Sequence, residues 1–472
     1  NSLSKDLKEV YFRKKSKIES LQSTFYSLID ESVTSDSIAA LNENLLKARV
    51  DQELLKDSIR AILVDYGEIT SSVERLFTKN NDSKVRSNHG LIEFFYGENN
   101  IYILSRTSEQ SYFQKVEVND KLTSSVDKVL QIVSRPPNVD NIDGELSSFV
   151  AASSHLYDKL LKPTVDQFDK EIDHLVIVPD DILSRIPFQV LIKNSVQNPY
   201  GFNELDYLIK SYSIQYRLSS ELYQNATGLN KQGEGLLAVG FKGIGNEGEK
   251  PAFGALPGTE KEINFLKSSV EGTFLIGPSG SKKGFIQKAS EFDVLHLAVH
   301  GKADSVNRYQ SSLIFNGSED NVLNTSDLYL AGLKARLAVL SACESGIGVV
   351  NKGEGTFSIA RGFALVGVPS IVMSLWKVND NVTSELMVDM YQGFLSDGMP
   401  INMALRESKL KYIKSSDQYT GHPYYWGAFL QLGDNMSYDT NRGGSWKQWI
   451  YAGSILCLLV AGALYRKRKR AN

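Results

Sequence analysis

Cysteine is scarce in this chain: two in 472 residues, too few for a disulfide framework. Cys457 lies in an apolar run near the end. Cys343 therefore has no cysteine partner in the folded part, and is either a small buried hydrophobe or a reactive thiol. A basic excess is also missing. Lys and Arg number 52 against 55 Asp and Glu, a formal net charge of −3, which argues against binding nucleic acid by neutralising phosphates. The 22 tyrosines and 21 phenylalanines are spread along the chain and favour no base-stacking platform. A phosphate-cradling loop is absent as well. FKGIGNEGEKPAFGALPGTE (241–260) has no GK[ST], and GPSGSKKG (277–284) reads as a turn leading into a helix. No cofactor is called for. No clean 34-residue repeat recurs. Residue 1 is Asn rather than Met, so the chain is expected to begin inside a longer precursor, and the lack of a leader here says nothing about export.

What is present divides the chain into regions. Residues 1–80 are rich in helix formers at 3.6-residue spacing, as in LKEVYFRKKSKIESLQSTFYSLI and LNENLLKARVDQELLKDSIRAIL, and predict a helical hairpin or the end of a helical array. NNDSKVRSNHG (80–90) breaks that pattern. LIEFFYG, IYILSRTS and SYFQKVEV then read as short strands, with ENN as a hairpin turn. Helices are predicted over 120–134 and 143–162, divided by RPPNVDNIDG. From residue 171 to 433, nearly all-apolar runs alternate with helical spacing: HLVIVP, GLLAVGF, DVLHLAVHG, ARLAVLSAC, PSIVMSLW and WGAFLQLG. That alternation predicts an α/β fold with a mainly parallel sheet covered on both faces. A polar linker (434–447) leads to QWIYAGSILCLLVAGALY (448–465), which carries no charge and is followed by RKRKR in a basic tail (466–472). Eighteen uncharged residues, flanked by Trp446, Trp449, Tyr451 and Tyr465, predict one membrane-spanning helix contacting lipid. The cations put the tail in the cytoplasm and the large N-terminal part outside it.

In parallel sheets, ligands bind beyond the carboxyl ends of the strands. Two predicted strands end in reactive side chains: DVLHLAVH at His300 and ARLAVLSA at Cys343. A thiolate needs a base beside it, and His300 can supply one if the two strands are neighbours. Gly301 permits a sharp turn, and its N–H with that of Cys343 makes a two-donor oxyanion hole. On the residues alone, buried packing and catalysis weigh equally for this pair. His296 stands four residues before His300 on the same strand face; HxxxH binds one metal ion most readily on a helix, so no metal is expected, and His296 is read as packing or as support for the pair. Glu344 and Ser345 line the loop, as substrate contacts or as plain solvated residues.

HLAVHG followed by LSACESGIG resembles the CHAT family, the caspase-like domains found with tetratricopeptide repeats. LVIVPDDILSRIPFQVLI, LPGTEKEI, GEGTFSIARGFALVGVPSIVMSLWKVND and HPYYWGAFLQLGD resemble the family in its order. The likeness covers residues 90–433, divided at about 170 into a hairpin and helix subdomain and a core. It implies a caspase- and separase-like fold and a cysteine endopeptidase acting on protein substrates. In that reading His300 is the general base and Cys343 the nucleophile. In separases, an acidic residue of a similar tryptophan-containing segment binds a basic P1 side chain, which points to Asp380 in SLWKVND; a helix cap is the alternative there. The resemblance leads to a membrane-tethered endopeptidase, regulated through a protein bound by its helical N-terminal region. Two alternatives stay open: a caspase-like scaffold without proteolysis, and acyl transfer by the same pair.

Overall fold

The computed structural model describes residues 85–438 apart from 195–198, 219–234, 243–255, 303–310, 318–319, 343–348, 352–354 and 358. The helical region expected at 1–80 and the expected span at 448–465 lie outside the described residues. Among the described residues no helix is long and apolar enough to cross a membrane. The longest, Ile142–Leu160, carries Asp143, Glu145, Asp158 and Lys159 among its 19 residues, a distribution suited to packing one face on a core. The fold class is therefore corrected: among the described residues it is a mixed α/β fold on a large, mainly parallel sheet, in which no helix is fit to span a membrane.

The chain enters through an antiparallel meander, β1 (His89–Tyr96), β2 (Asn100–Arg106) and β3 (Ser111–Glu117). Helices α1 (Asp120–Val133) and α2 (Ile142–Leu160) follow, close to the lengths that their apolar spacing predicts. Asn119 caps α1, its side chain accepting from the Leu122 N–H at 3.0 Å.

The remaining sheet strands are β4 (His174–Val178), β5 (Ser213–Tyr216), β6 (Leu236–Gly240), β7 (Gly272–Ile276), β8 (Val294–Ala298), β12 (Leu337–Leu340), β13 (Ser370–Ser374) and β14 (Phe429–Gly433). A small separate sheet joins β9 (His300–Lys302), β10 (Ser312–Ile314) and β11 (Val322–Asn324). The large sheet has 11 strands in the order β3-β2-β1-β4-β5-β14-β13-β12-β8-β6-β7. Its pairings are parallel from β1 to β14 through β4 and β5, and again from β13 to β7. Only β13–β14 and the entry meander run antiparallel. Strands β6, β8, β12 and β13 are buried along their whole length. That explains why they read as continuous apolar runs rather than alternating ones.

Helices α3 (Pro257–Ser269), α4 (Lys282–Lys288), α5 (Ile359–Leu365), α6 (Asp380–Tyr391) and α7 (Ile401–Ser415) connect the strands. Residues 434–438, read from composition as the start of a tether, are packed. The Ile401 N–H donates to the Met436 carbonyl at 2.9 Å, Tyr438 rests on Phe394 with ring centroids 5.8 Å apart, and Arg217 meets Asp434 at 2.6 Å.

The short helix Pro423–Trp426 is capped by His422, whose Nδ1 accepts the Tyr424 N–H at 3.1 Å. The His422 ring is fully buried against Phe202, with centroids 4.4 Å apart. Burial, and then the nearby Arg135 guanidinium, push its pKa from 6.5 down to about 3. Folded His422 is thus neutral across the range where the unfolded chain takes up a proton there. Stability contributed at this site is intact above pH 6.5 and falls as the pH drops toward 3. The expected slope is about 1.4 kcal/mol per pH unit inside that window. Urea unfolding of the parent and of His422→Gln between pH 7 and 4 checks it: the variant loses this part of the acid sensitivity.

Candidate active site

The carboxyl ends of β6, β8, β12 and β13 lie along one edge of the sheet, because these neighbours are all parallel. In β8 and β12, Val294 pairs with Leu337 and Leu297 with Leu340. His300 stands three residues beyond Leu297, as Cys343 stands three beyond Leu340 in the sequence. Cys343, Glu344 and Ser345 lie outside the described residues, so the site is described from the histidine side and from the residues that lead up to the cysteine.

His300 opens β9, half-buried, and pairs with Ile314 of β10; Gly301 pairs with Leu313. The ring of Phe241, the residue after β6, meets the His300 ring edge-on with centroids 4.6 Å apart. The Phe241 N–H donates to the Ala298 carbonyl at 2.9 Å. The two strand ends are thus locked together directly below His300. On the cysteine side, Ser374 at the end of β13 donates its hydroxyl to the Ala342 carbonyl at 2.8 Å, which fixes the last described residue before Cys343.

One residue that sequence reading passes over ties this edge together. Asn316, buried just after β10, donates through Nδ2 to the carbonyls of Gly240 (2.9 Å) and Gly280 (3.1 Å). Its Oδ1 accepts the Lys242 N–H at 2.8 Å. It therefore joins the loop after β6 to the strand that pairs with His300. Its signal in sequence is weak: an Asn before Gly reads as an ordinary turn.

Asp380 is the first residue of α6, and α6 is capped by Asn379, which accepts from the N–H groups of Asn381 and Val382. The Asp380 carboxylate instead accepts the N–H of Gly258 at the start of α3. Helix α3 has no side-chain cap of its own, so Asp380 satisfies one of its unpaired N–H groups and places a negative charge at the positive end of the dipole. A Cβ on Gly258 would lie 2.4 Å from the Asp380 carbonyl oxygen, which is why glycine stands there. The cap expected of Asp380 for its own helix is supplied by Asn379, and Asp380 caps the neighbouring α3 instead.

His296 sits in the middle of β8, paired with Ala238 and Val339, and is fully buried. Its Nδ1 is 3.0 Å from the Tyr391 hydroxyl, and its Nε2 is 3.1 Å from Glu262 Oε2, off the line of a well-formed hydrogen bond. Glu262 was legible as buried. Thr259, Glu262, Ile263 and Leu266 share one face of α3 by 3–4 spacing, and all four are buried. Among the described residues, no group of three or more His, Cys, Asp or Glu is arranged to hold a metal ion.

A CHAT domain model matches residues 150–434, more than half of the chain. No curated protein matches the chain. Among solved structures, the Saccharomyces cerevisiae separase–securin complex aligns with a TM-score of 0.49 and 11% identity, covering 90% of this chain and 38% of that one. A second structure of that complex gives 0.49 and 10%, covering 91% and 38%. The Arg-specific cysteine proteinase gingipain R gives 0.36 and 11%, covering 67% of this chain and 76% of that one. The chain spans 38% of the length of the separase chains it matches.

Replacing Asn316 by Ala removes its side-chain bonds to the Gly240 carbonyl and the Lys242 N–H, while the Gly280 carbonyl keeps the backbone N–H of residue 316. We expect a loss of about 2–4 kcal/mol in unfolding free energy, read by urea denaturation.

Proposed function

The chain belongs to the CHAT domain family, and on that premise we propose that it is a cysteine endopeptidase with His300 as general base and Cys343 as nucleophile. The observation that carries this reading is the parallel register of β8 and β12, in which Leu297 faces Leu340 and each is followed three positions later in the sequence by one member of the pair. The contacts of Phe241 with Ala298 and His300 support it further, since a base must be held in orientation before the thiol is ionised.

The chemistry follows from the groups. His300 takes the thiol proton, and the Cys343 thiolate adds to the carbonyl carbon of a peptide bond. The oxyanion accepts the N–H groups of Gly301 and Cys343. On collapse the C–N bond breaks, and His300 returns the proton to the departing amine. Water, deprotonated by His300, then adds to the thioester. Its breakdown releases the carboxylate product and restores the thiol. Glu344 and Ser345, next after Cys343, contact the substrate. Asp380 draws a basic side chain to the position before the cut: it begins α6 six residues after the end of β13, on the strand-end edge that carries the pair, and a carboxylate suits a guanidinium.

The test is a proteome-derived peptide library incubated with the purified chain and read by mass spectrometry. The parent produces cuts, and Cys343→Ala and His300→Ala each reduce them by about a thousandfold or more. Equal cutting by parent and Cys343→Ala overturns the assignment. Arg and Lys are enriched before the cut in the parent and lose that enrichment in Asp380→Asn; an unbiased parent profile removes the role given to Asp380.

A further inference from the structure

The Glu262–His296–Tyr391 cluster is built around β8, the strand that leads into the candidate base. Its three members come from three elements: α3, β8 and the last residue of α6. Their exposures are 2%, 0% and 1%. The His296 ring meets the Tyr391 ring edge-on, with centroids 5.4 Å apart. Burial, and then the Glu262 charge, hold the Tyr391 hydroxyl well above the ordinary range. It therefore stays protonated and can donate to His296 Nδ1, while Nε2 faces Glu262. The same two helices are joined a second time where they begin, through Asp380 and the Gly258 N–H.

We infer that Glu262, His296 and Tyr391 are positioning residues that fix the carboxyl end of β8 against the α3–α6 pair and so hold His300 in orientation toward Cys343. The inference rests on the cysteine peptidase reading. The path is short. His296 is two residues before Ala298, whose carbonyl accepts the Phe241 N–H, and the Phe241 ring bears on His300. A rotation of the His296 backbone moves Ala298, and with it the ring contact that orients the base. An apolar side chain at 296 would fill the space without fixing a direction. An imidazole with a donor on one nitrogen and a carboxylate facing the other has one preferred orientation.

The test reads the thiol rather than turnover, so it needs no known substrate. The full chain is alkylated with iodoacetamide between pH 5 and 10, and modification of the Cys343 peptide is followed by mass spectrometry; Cys457 falls on a separate peptide. Parent, His300→Ala, Tyr391→Phe and Glu262→Gln are compared, with circular dichroism as the check on folding. In the parent, the Cys343 midpoint lies below the ~8.5 of a free thiol, and His300→Ala returns it toward that value. Tyr391→Phe and Glu262→Gln each move it upward by about half a unit or more while the fold is kept; a role in packing alone leaves the profile unmoved. Variant profiles that superpose on the parent, while His300→Ala shifts, overturn the positioning role and leave the dyad standing. If His300→Ala also superposes on the parent, the dyad reading fails and the inference with it. Should Glu262→Gln not fold, Tyr391→Phe decides alone, since it removes one hydroxyl and almost no volume.

Discussion

Everything at the candidate site depends on one pairing, the parallel ladder between Val294–Leu297 and Leu337–Leu340. A parallel strand pair cannot be closed by a tight turn; it requires a crossover. The residues brought side by side are therefore distant in sequence, and their register is set by burial rather than by a hairpin. Both strands are buried on both faces. A slip by one residue would reverse which side chains meet the helices on each face, and would put the buried imidazole of His296 against the wrong layer. The apolar residues thus fix more than stability: they determine which residues stand at the strand ends.

Hydrophobic burial is not directional, so it cannot set the path of the chain beyond the last paired residue. Buried hydrogen bonds do that along the strand-end edge. Phe241 holds Ala298, Ser374 holds Ala342, Asn316 holds Gly240, Lys242 and Gly280, and Trp376 donates its indole N–H to the Tyr424 carbonyl at 2.9 Å. Lys409 does similar work beneath. Its ammonium is fully enclosed, donates to Gln189 Oε1 and to the Phe429 carbonyl, and is driven well below the usual lysine range by burial. Each such group costs desolvation and returns it only when every partner is in place. That is why these contacts specify geometry more sharply than apolar packing can.

The strands were legible because they are continuous apolar runs. HLVIVP, DVLHLAVHG, ARLAVLSAC and PSIVMSLW each contain one strand of the large sheet, although the first run to end in a candidate site residue breaks after Ala298, and His300 opens a strand of the small sheet. Two strands escaped notice. SIQY (β5) is short and contains a polar residue, and GTFLI (β7) lies at the sheet edge, where only part of it is buried. The three-residue strands that hold His300 were also invisible, since β10 and β11 carry too few residues to show a period. Helix starts were readable where the cap is local, as at Asn119. The cap that Asp380 gives to α3 was not, because its partner lies 122 positions away. The apolar segment 448–465 was conspicuous for its composition, yet among the described residues no helix has the length and apolarity to cross a membrane.

The same distinction explains why a carboxylate and an imidazole are enclosed beneath the site at all. A buried pair of this kind gains little net stability over apolar residues of similar volume, since desolvation offsets most of the attraction. Ile263, Leu266 and Met387 are buried on the same two helices, and apolar residues in place of all three polar ones would extend that packing without unpaired groups. What the polar group adds is direction: the Tyr391 hydroxyl bonds Nδ1 of His296 from one helix, and the Glu262 carboxylate faces Nε2 from the other. A constraint of that kind is of no use to a scaffold that needs only a packed core. It matters where an error of about 1 Å at a strand end separates an oriented base from an idle one, and β8 is the strand that leads into His300.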